Sequence, residues 1–384
     1  MKFAKIVIGA NFGDEGKGLM TDYYAACAKK SGHSCLVVCH NGGSQRGHTV
    51  EKENGIRFIF HHFGSGCFEG AATYLSSDFF INPIVFLQDY SELKRHNCCR
   101  VCYINPNCRF STPFDMLINQ IIEESRGTDR HGSCGIGIWE TLVRYKNGYK
   151  MTANEFHQAD INDKIKFLTD IADNYMPARM NELGIQKLKD KWIDIISKKH
   201  IMTENFIEDF ENMMKCVTLR DDDIIDEYDE VIFEGAQGLL LDENNMEYMP
   251  YLTPSKTGAA NPKRIIAARS VDTECCYVTR TYMTRHGAGR FDTECPKENI
   301  NPSIFDETNV YNEFQENLRF GTLELKALKQ RVEKDFNIFK ANKCLAFTHI
   351  NEYPMQQCEV DKLFSDYGIY LSDGHTADSV KKIR

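Results

Sequence analysis

Runs of consecutive apolar, largely β-branched residues recur along the chain and alternate with stretches in which apolar residues return every three or four positions. Phe3 to Ala10 (FAKIVIGA) and Ser34 to His40 (SCLVVCH) are two such runs. Strands covered on both faces lose the polar alternation of a half-exposed strand, so both runs predict buried strands. Between them a glycine-containing loop opens a helix-like stretch. Strand, glycine loop, helix and strand in that order predict a parallel sheet with the loop at its carboxyl end, where α/β folds hold ligands. CRVCYIN, YDEVIFEGA and KCLAFTHI predict further strands of the same sheet. From Thr112 onward Phe114, Leu117, Ile118, Ile121 and Ile122 return at helical spacing, with Thr112-Pro113 and Asp115 as an N-terminal cap. Residues 150–217 combine charge with helical periodicity and predict a mostly helical excursion. The expected fold class is α/β, a central mainly parallel sheet with surrounding helices and loop insertions, with residues 1–384 forming one domain.

Composition narrows the partners. The 384 residues, 42% hydrophobic and 26% charged, are those of an ordinary globular chain with room for a large core. No apolar run approaches a membrane span. The chain enters its first strand almost at once, so no signal peptide is expected and a cytoplasmic setting is. A net charge of -9 argues against general nucleic-acid binding and leaves room for a local basic pocket for small phosphates. In that setting fifteen cysteines are expected to be reduced and buried. Cys98, Cys99, Cys102 and Cys108 can be drawn as a zinc site, but CCRVCYINP reads better as a buried strand with small apolar fillers. The acidic run Asp221 to Asp223, with Asp226, Glu227, Asp229 and Glu230, is expected to be a solvated approach to the next strand.

The chemistry concentrates in loops that follow strands. GDEGKG (Gly13 to Gly18) has the outline of a phosphate loop, with glycines that let backbone N–H groups approach an anion and Lys17 for charge. It departs from the common form, because Gly18 stands where Ser or Thr belongs and the acid pair Asp14-Glu15 lies inside the loop. Asp14 suits a base or a magnesium ligand. NGGSQRGHTV (Asn41 to Val50) presents His48 on a second glycine-rich turn. FEGAQGLLLD (Phe233 to Asp242) places Glu234, Gln237 and Asp242 among glycines, and an amide there can read the edge of a base because it both donates and accepts.

In this order the three loops resemble the adenylosuccinate synthetase family, which shows GDEGKGK, NNAGHT and EGAQG(T/A)LLD loops followed by YPYVTSSN. Here the last reads YMPYLTPSK (Tyr248 to Lys256). The likeness extends through HHFGSG (His61 to Gly66), GSCGIG (Gly132 to Gly137), RHGAGRFDTE (Arg285 to Glu294) and FTHINEY (Phe347 to Tyr353), nearly the whole chain. The resemblance implies a P-loop-related fold and a magnesium-dependent ligase. In that chemistry a nucleoside triphosphate phosphorylates the 6-oxygen of a purine monophosphate, and the amine of L-aspartate then displaces phosphate at C6. It implies Asp14 as base and magnesium ligand, Lys17 on the transferring phosphoryl group, His48 as acid, the Gly47 carbonyl as second magnesium ligand and Gln237 on the base edge. Gly13, Glu15, Gly16, Gly18 and Thr49 belong to the matching nucleotide loops. Thr253 and Ser133 are expected at the monophosphate. Arg144 or Lys146 is expected to replace an arginine that the family donates across a dimer interface, which makes a homodimer the expected assembly.

The departures bear on specificity. Where the family reads guanine with T-K-x-D, this chain has THIN, Thr348 to Asn351, and an Asn there pairs with adenine by donor and acceptor. ATP or dATP is therefore expected over GTP, unless the base is read by LSDGHT (Leu371 to Thr376), with Ser372 and Gly374. The family's arginine-rich aspartate loop is replaced by FQENLRFGTLEL (Phe314 to Leu325), which keeps Arg319 and offers Gln315 and Asn317 as neutral donors. These features are similar to a viral and archaeal-like branch, some of whose members use dGMP to make a 2-aminoadenine precursor; a viral source would place the protein in host cytoplasm. Members dedicated to dGMP often replace the loop Asp with a small residue, so retention of Asp14 favours IMP, while THIN and the altered aspartate loop favour the branch. A catalytically silent nucleotide-binding protein is the reading from another class, and Asp14, Lys17, His48 and Gln237 persisting together argue against it.

Overall fold

The computed structural model describes residues 1–98, 100–305, 317–337 and 341–384. Its centre is β1 (Phe3–Gly9), whose side chains alternate between two buried layers. Ala4, Ile6 and Ile8 join Leu36, Val38 and Phe233 in one apolar cluster, while Val7 joins Leu19, Met20 and Tyr24 on the opposite face. A strand sandwiched in this way is apolar along its buried length, with Lys5 near its partly exposed start paired to Glu274 (3.6 Å), which is why the sequence shows a run instead of an alternation.

Nine further strands complete the sheet: β2 (Cys35–Cys39), β3 (Ala72–Leu75), β4 (Cys102–Ile104), β5 (Thr218–Leu219), β6 (Glu230–Gly238), β7 (Asp272–Arg280), β8 (Asn342–Thr348), β9 (Gly368–Ser372) and β10 (Val380–Lys382). Their spatial order is β10-β9-β8-β7-β1-β6-β2-β3-β4-β5, and every pairing is parallel except β9 with β10. The expected mainly parallel sheet is thus present, with β1 between β6 and β7. The loops that leave β1, β2, β6, β7 and β8 therefore emerge along one carboxyl edge, in the position where such sheets bind ligands.

Helix α1 (Lys17–Lys30) covers one face of the sheet. α2 (Pro83–Arg95) and α3 (Pro113–Arg126) extend the packing beyond the β3–β4 side. The predicted cap of α3 forms as a reciprocal box: Asp115 N–H donates to Thr112 Oγ1 (3.3 Å), and Thr112 N–H donates to Asp115 Oδ2 (2.8 Å). After α4 (Ile138–Lys146) comes the helical excursion, with helices at Ala153–Gln158, Ile161–Asp170, Met176–Glu182, Asp190–Ser197 and Lys199–Met214. It is not a detached lobe. Phe156, Phe206 and Phe210 pack on Phe110 in a cluster continuous with Phe114 of α3 and Ile104 of β4.

The acidic approach to β6 is largely exposed, as expected, and also makes ties: Asp222 accepts from Tyr74 Oη (2.7 Å), Asp226 pairs with Arg269 (2.7 Å) and Asp229 with Lys2 (2.8 Å). One expectation changes. The cysteine-rich stretch is strand only over Cys102–Ile104, although Cys98, Cys102 and Cys108 are buried as expected. Cys99 lies outside the described residues. Among the described residues no His, Cys, Asp and Glu side chains form a metal-binding group of three or more, and no helix is long and apolar enough to cross a membrane.

Thr112 is fully buried and holds both ends of its box, so Thr112→Ala should lower stability by about 1–2 kcal/mol in urea denaturation. An unchanged midpoint would show that the cap contributes nothing.

Candidate active site

The loop between β1 and α1 turns on Gly16, the residue before Lys17, at φ 94°. That is left-handed backbone, which glycine adopts without strain. The acid pair inside the loop divides its work. Glu15 faces inward: its Oε1 accepts from the N–H groups of Asn11 (3.1 Å) and Gly13 (2.8 Å), and its Oε2 lies 3.8 Å from Lys17 Nζ. Burial raises the Glu15 carboxyl above its usual range and Lys17 acts against that rise. Asp14 faces outward, 28% exposed, with Oδ2 3.5 Å from His286 Nε2. Its carbonyl accepts from Arg280 Nε (2.6 Å), and Thr348 Oγ1 donates to the Glu15 carbonyl (2.9 Å), so β7 and β8 both brace the loop. Gly18 has a packing reason to replace the usual hydroxyl residue. A Cβ there would lie 2.8 Å from the Thr49 carbonyl oxygen and 3.2 Å from His48 Cβ.

That contact brings the second loop against the first. His48 Nδ1 lies 2.9 Å from Glu234 Oε1, and Glu234, wholly buried in β6, also receives Arg46 Nη1 (3.2 Å), the Ser65 hydroxyl and the Ser65 N–H (3.3 Å). Burial pushes the Glu234 carboxyl up, but His48 and Arg46 outweigh it and hold the group down to about 2. An ionised carboxylate only accepts, so His48 carries its proton on Nδ1 and leaves Nε2 as the acceptor nitrogen. Burial holds the imidazole down to about 4 despite Glu234, so it is neutral near pH 7. Arg46 spends its other donors on the carbonyls of His61 (2.8 Å) and Phe63 (2.7 Å). It is a structural cation that fixes the loop.

Two cavities open on this edge, of about 290 and 630 Å³, and they share Gly13, Asp14, Lys17, Gly47 and His48. Gly16, Gly18, Thr49 and Gly374 line the first. Gln237, Ser133 and Thr253 line the second. Gln237 has φ 63°, uncommon for a side chain other than Asn, Asp or Gly, and such strain is retained where a side chain must be held in place.

Other expected residues fall elsewhere. Thr348 and Ser372 are buried: Thr348 braces the phosphate loop, and Ser372 Oγ bonds the Gly374 carbonyl (3.0 Å) and Ser379 Oγ (2.7 Å). Asn351 is exposed and lines neither cavity, whereas its neighbours His349 and Glu352 line the first. Arg144 is spent within its own chain. It is fully buried, bonded to Asp115 (2.9 Å) and to the carbonyls of Tyr149 (2.7 Å) and Phe110 (2.9 Å), because its helix packs on the capped start of α3. Lys146 is exposed. Arg319 is held by Glu294 (2.8 Å) and the Gly289 carbonyl (2.9 Å) and lines neither cavity; Asn317 is exposed, and Gln315 lies outside the described residues. Sequence reading gave no role to Glu234, Arg280, Arg285 or His286. Glu234 carried a signal in its place just before Gly235 at the end of a strand, but its partners are remote in the chain.

Two cavities that meet at a carboxylate, a lysine and an oriented histidine, on the carboxyl edge of a parallel sheet, are placed to hold phosphate-bearing ligands. The family model described as "Adenylosuccinate synthetase" matches residues 6–349, and the chain belongs to that family. The adenylosuccinate synthetase of Mesoplasma florum is 28% identical over 334 residues, 85% of this chain and 73% of that protein. That of Crocosphaera subtropica is 30% identical over 296 residues, 75% of this chain and 62% of that protein. Among solved structures, the succinoaminodeoxyadenylate synthetase of cyanophage S-2L, bound to dGMP and dATP, superposes with a TM-score of 0.67 at 15% identity, covering 100% of this chain and 95% of that one. The adenylosuccinate synthetase of Plasmodium falciparum gives 0.66 at 14% identity, covering 99% of both chains. At these identities the structural likeness is one of fold. Membership in the family makes the protein an enzyme that forms a C–N bond, condensing aspartate with a purine nucleotide.

The buried histidines predict acid sensitivity. His48, held to about 4, and His40, held by burial to about 3, stay neutral when folded and take protons when unfolded, so their contribution is complete above pH ~6.5 and is lost as pH falls toward 4. Asp22 and Asp335, raised by burial to about 6, act in the opposite sense. Denaturation of His48→Gln should therefore show a loss between pH 6.5 and 4 that is smaller than wild type by on the order of 1–3 kcal/mol. Equal losses would refute the neutral buried imidazole.

Proposed function

We propose that the enzyme condenses L-aspartate with C6 of IMP, driven by ATP or dATP, to give adenylosuccinate, nucleoside diphosphate and phosphate. The observation that carries this reading is the junction of the two cavities at Asp14, Lys17 and His48. The first cavity, built on the phosphate loop, takes the triphosphate. The larger one, with Gln237, Ser133 and Thr253, takes the purine monophosphate.

Asp14 removes the N1 proton while the 6-oxygen attacks the γ-phosphorus; the oxygen–phosphorus bond forms and nucleoside diphosphate leaves. Lys17 offsets the negative charge of the transferring group. The amine of aspartate then adds at C6, and phosphate departs with the 6-oxygen. His48 serves as acid in this scheme only after Nε2 takes a proton, and the negative charge of bound phosphates favours that. Magnesium fits the junction, since a hard cation keeps water and phosphate oxygens around few protein oxygens and both Asp14 and Gly47 line both cavities. The ion supplies charge neutralisation on the phosphoryl oxygens.

Asn351 lines neither cavity, so donor choice rests on the lining of the first cavity. Its carboxylates remote from the phosphate loop are engaged, Glu51 with Arg57 (3.1 Å) and Glu352 with the Tyr282 hydroxyl, so neither stands open to guanine. TM-scores of 0.67 and 0.66 do not separate a dGMP-bound neighbour from an adenylosuccinate synthetase, and retention of Asp14 supports the reading for IMP.

Phosphate release with magnesium and aspartate, crossing IMP, GMP and dGMP against GTP, ATP and dATP, tests the scheme. Turnover is expected with IMP and an adenine nucleotide. Preference for dGMP would overturn the substrate, and silence throughout would leave a nucleotide-binding protein. Asp14→Ala should reduce kcat by about 10²–10⁴-fold with an unchanged melting temperature, because the side chain is partly exposed; undiminished turnover would remove Asp14 from the chemistry.

A further inference from the structure

Five lysine or arginine side chains line the second cavity: Lys17, Arg46, Arg126, Arg179 and Arg285. Among the described residues four have a carboxylate partner. Lys17 has Glu15 at 3.8 Å, Arg46 has Glu234 at 3.2 Å, Arg126 has Glu123 at 2.8 Å and Arg179 has Glu140 at 2.8 Å. No described carboxylate forms an ion pair with Arg285.

Arg285 is nonetheless 1% exposed. It donates to the carbonyls of Arg290 and Ala288 (2.8 Å), while its buried Nε has no hydrogen-bond partner among the described residues. The guanidinium lies over the rings of Phe12 (4.6 Å to the centroid) and Tyr248 (5.7 Å). A cation buried without a counter-ion is costly, so the arrangement fits an anion that binds and leaves. Burial and the nearby Arg319 hold the Arg285 guanidinium down to about 10, which an incoming anion would reverse.

Position separates the 5′-phosphate from the aspartate carboxylates as the anion for Arg285. Arg285 stands directly opposite Arg319 in an antiparallel ribbon, and like charges so placed repel unless an anion lies between or beside them. Arg319 has Glu294; Arg285 has no such partner. Phe12, under Arg285, is two residues before Asp14, and the neighbouring His286 reaches Asp14 Oδ2 at 3.5 Å. Arg285 therefore lies on the Asp14 side of the cavity, the side where the scheme above puts N1 and C6 of the purine. The carboxylates of an attacking aspartate are within a few bonds of its amine at C6, whereas the 5′-phosphate is across the ribose.

We propose that Arg285 binds one carboxylate of the aspartate substrate and thereby selects it, replacing arginines absent from Phe314 to Leu325. A guanidinium offers the paired donors that a carboxylate accepts. This rests on the ligase reading above.

The test is steady-state kinetics of wild type, Arg285→Met and Arg285→Lys, varying aspartate and purine monophosphate separately, with melting temperatures alongside. Met keeps an unbranched stem and removes the guanidinium that lies over Phe12. The aspartate KM should rise at least tenfold in Arg285→Met and less in Arg285→Lys, while the monophosphate KM stays within twofold. An unchanged aspartate KM, or a rise in the monophosphate KM instead, overturns the assignment. If Arg285→Met does not fold, the same comparison in Arg285→Lys decides. A wild type that consumes aspartate with no purine monophosphate overturns the ligase reading and this inference together, whereas an active wild type with indifferent variants overturns the inference alone.

Discussion

The buried carboxylate of Glu234 is the constraint on which the active-site edge depends. It lies at the end of a strand next to β1, and it receives an arginine and a histidine from one loop and a hydroxyl from another. A carboxylate taken wholly out of water is tolerated only when its oxygens are fully used. Removing any partner would leave charge stranded in the core, so the loops are held at one separation. His48 thereby inherits its tautomer and its position relative to the phosphate loop.

The same logic sorts the other charged groups. Glu15 is spent on the backbone of its own loop and on Lys17, which frees Asp14 to face the junction. Arg144 is spent on Asp115 and on carbonyls beneath α3, which ties the helix lining the second cavity to the aromatic core of the excursion. The excursion is thus a brace for one wall of the nucleotide cavity. Charges with internal partners build the fold. Asp14, which faces His286, and Arg285, which has no carboxylate ion pair among the described residues, stand at the second cavity.

The glycine that replaces the customary hydroxyl belongs to the same economy of space. A side chain at Gly18 would press on the backbone carrying His48 and Thr49. Close approach of the two loops therefore excludes the usual hydroxyl side chain at that position, while Asp14 and Gly47 line both cavities.

Fold class, the central strands, the capped α3 and the three glycine loops were legible in the chain. Each is written in consecutive residues: a doubly buried strand must be an apolar run, a cap is a short spacing, and a loop that touches phosphate needs glycine. Asp14, Lys17, His48 and Gln237 were legible for the same reason. What the sequence could not decide is which charge meets which. Arg144 and Arg285 look alike as letters, yet one is neutralised by Asp115, 29 residues away, and the other stands opposite a second arginine. Asn351 occupies a recognisable motif, but only the turn after β8 determines that its neighbours, and not it, line the cavity. Pairing energies depend on distances between residues remote in the chain, and these exist only once the sheet has brought its loops to one edge.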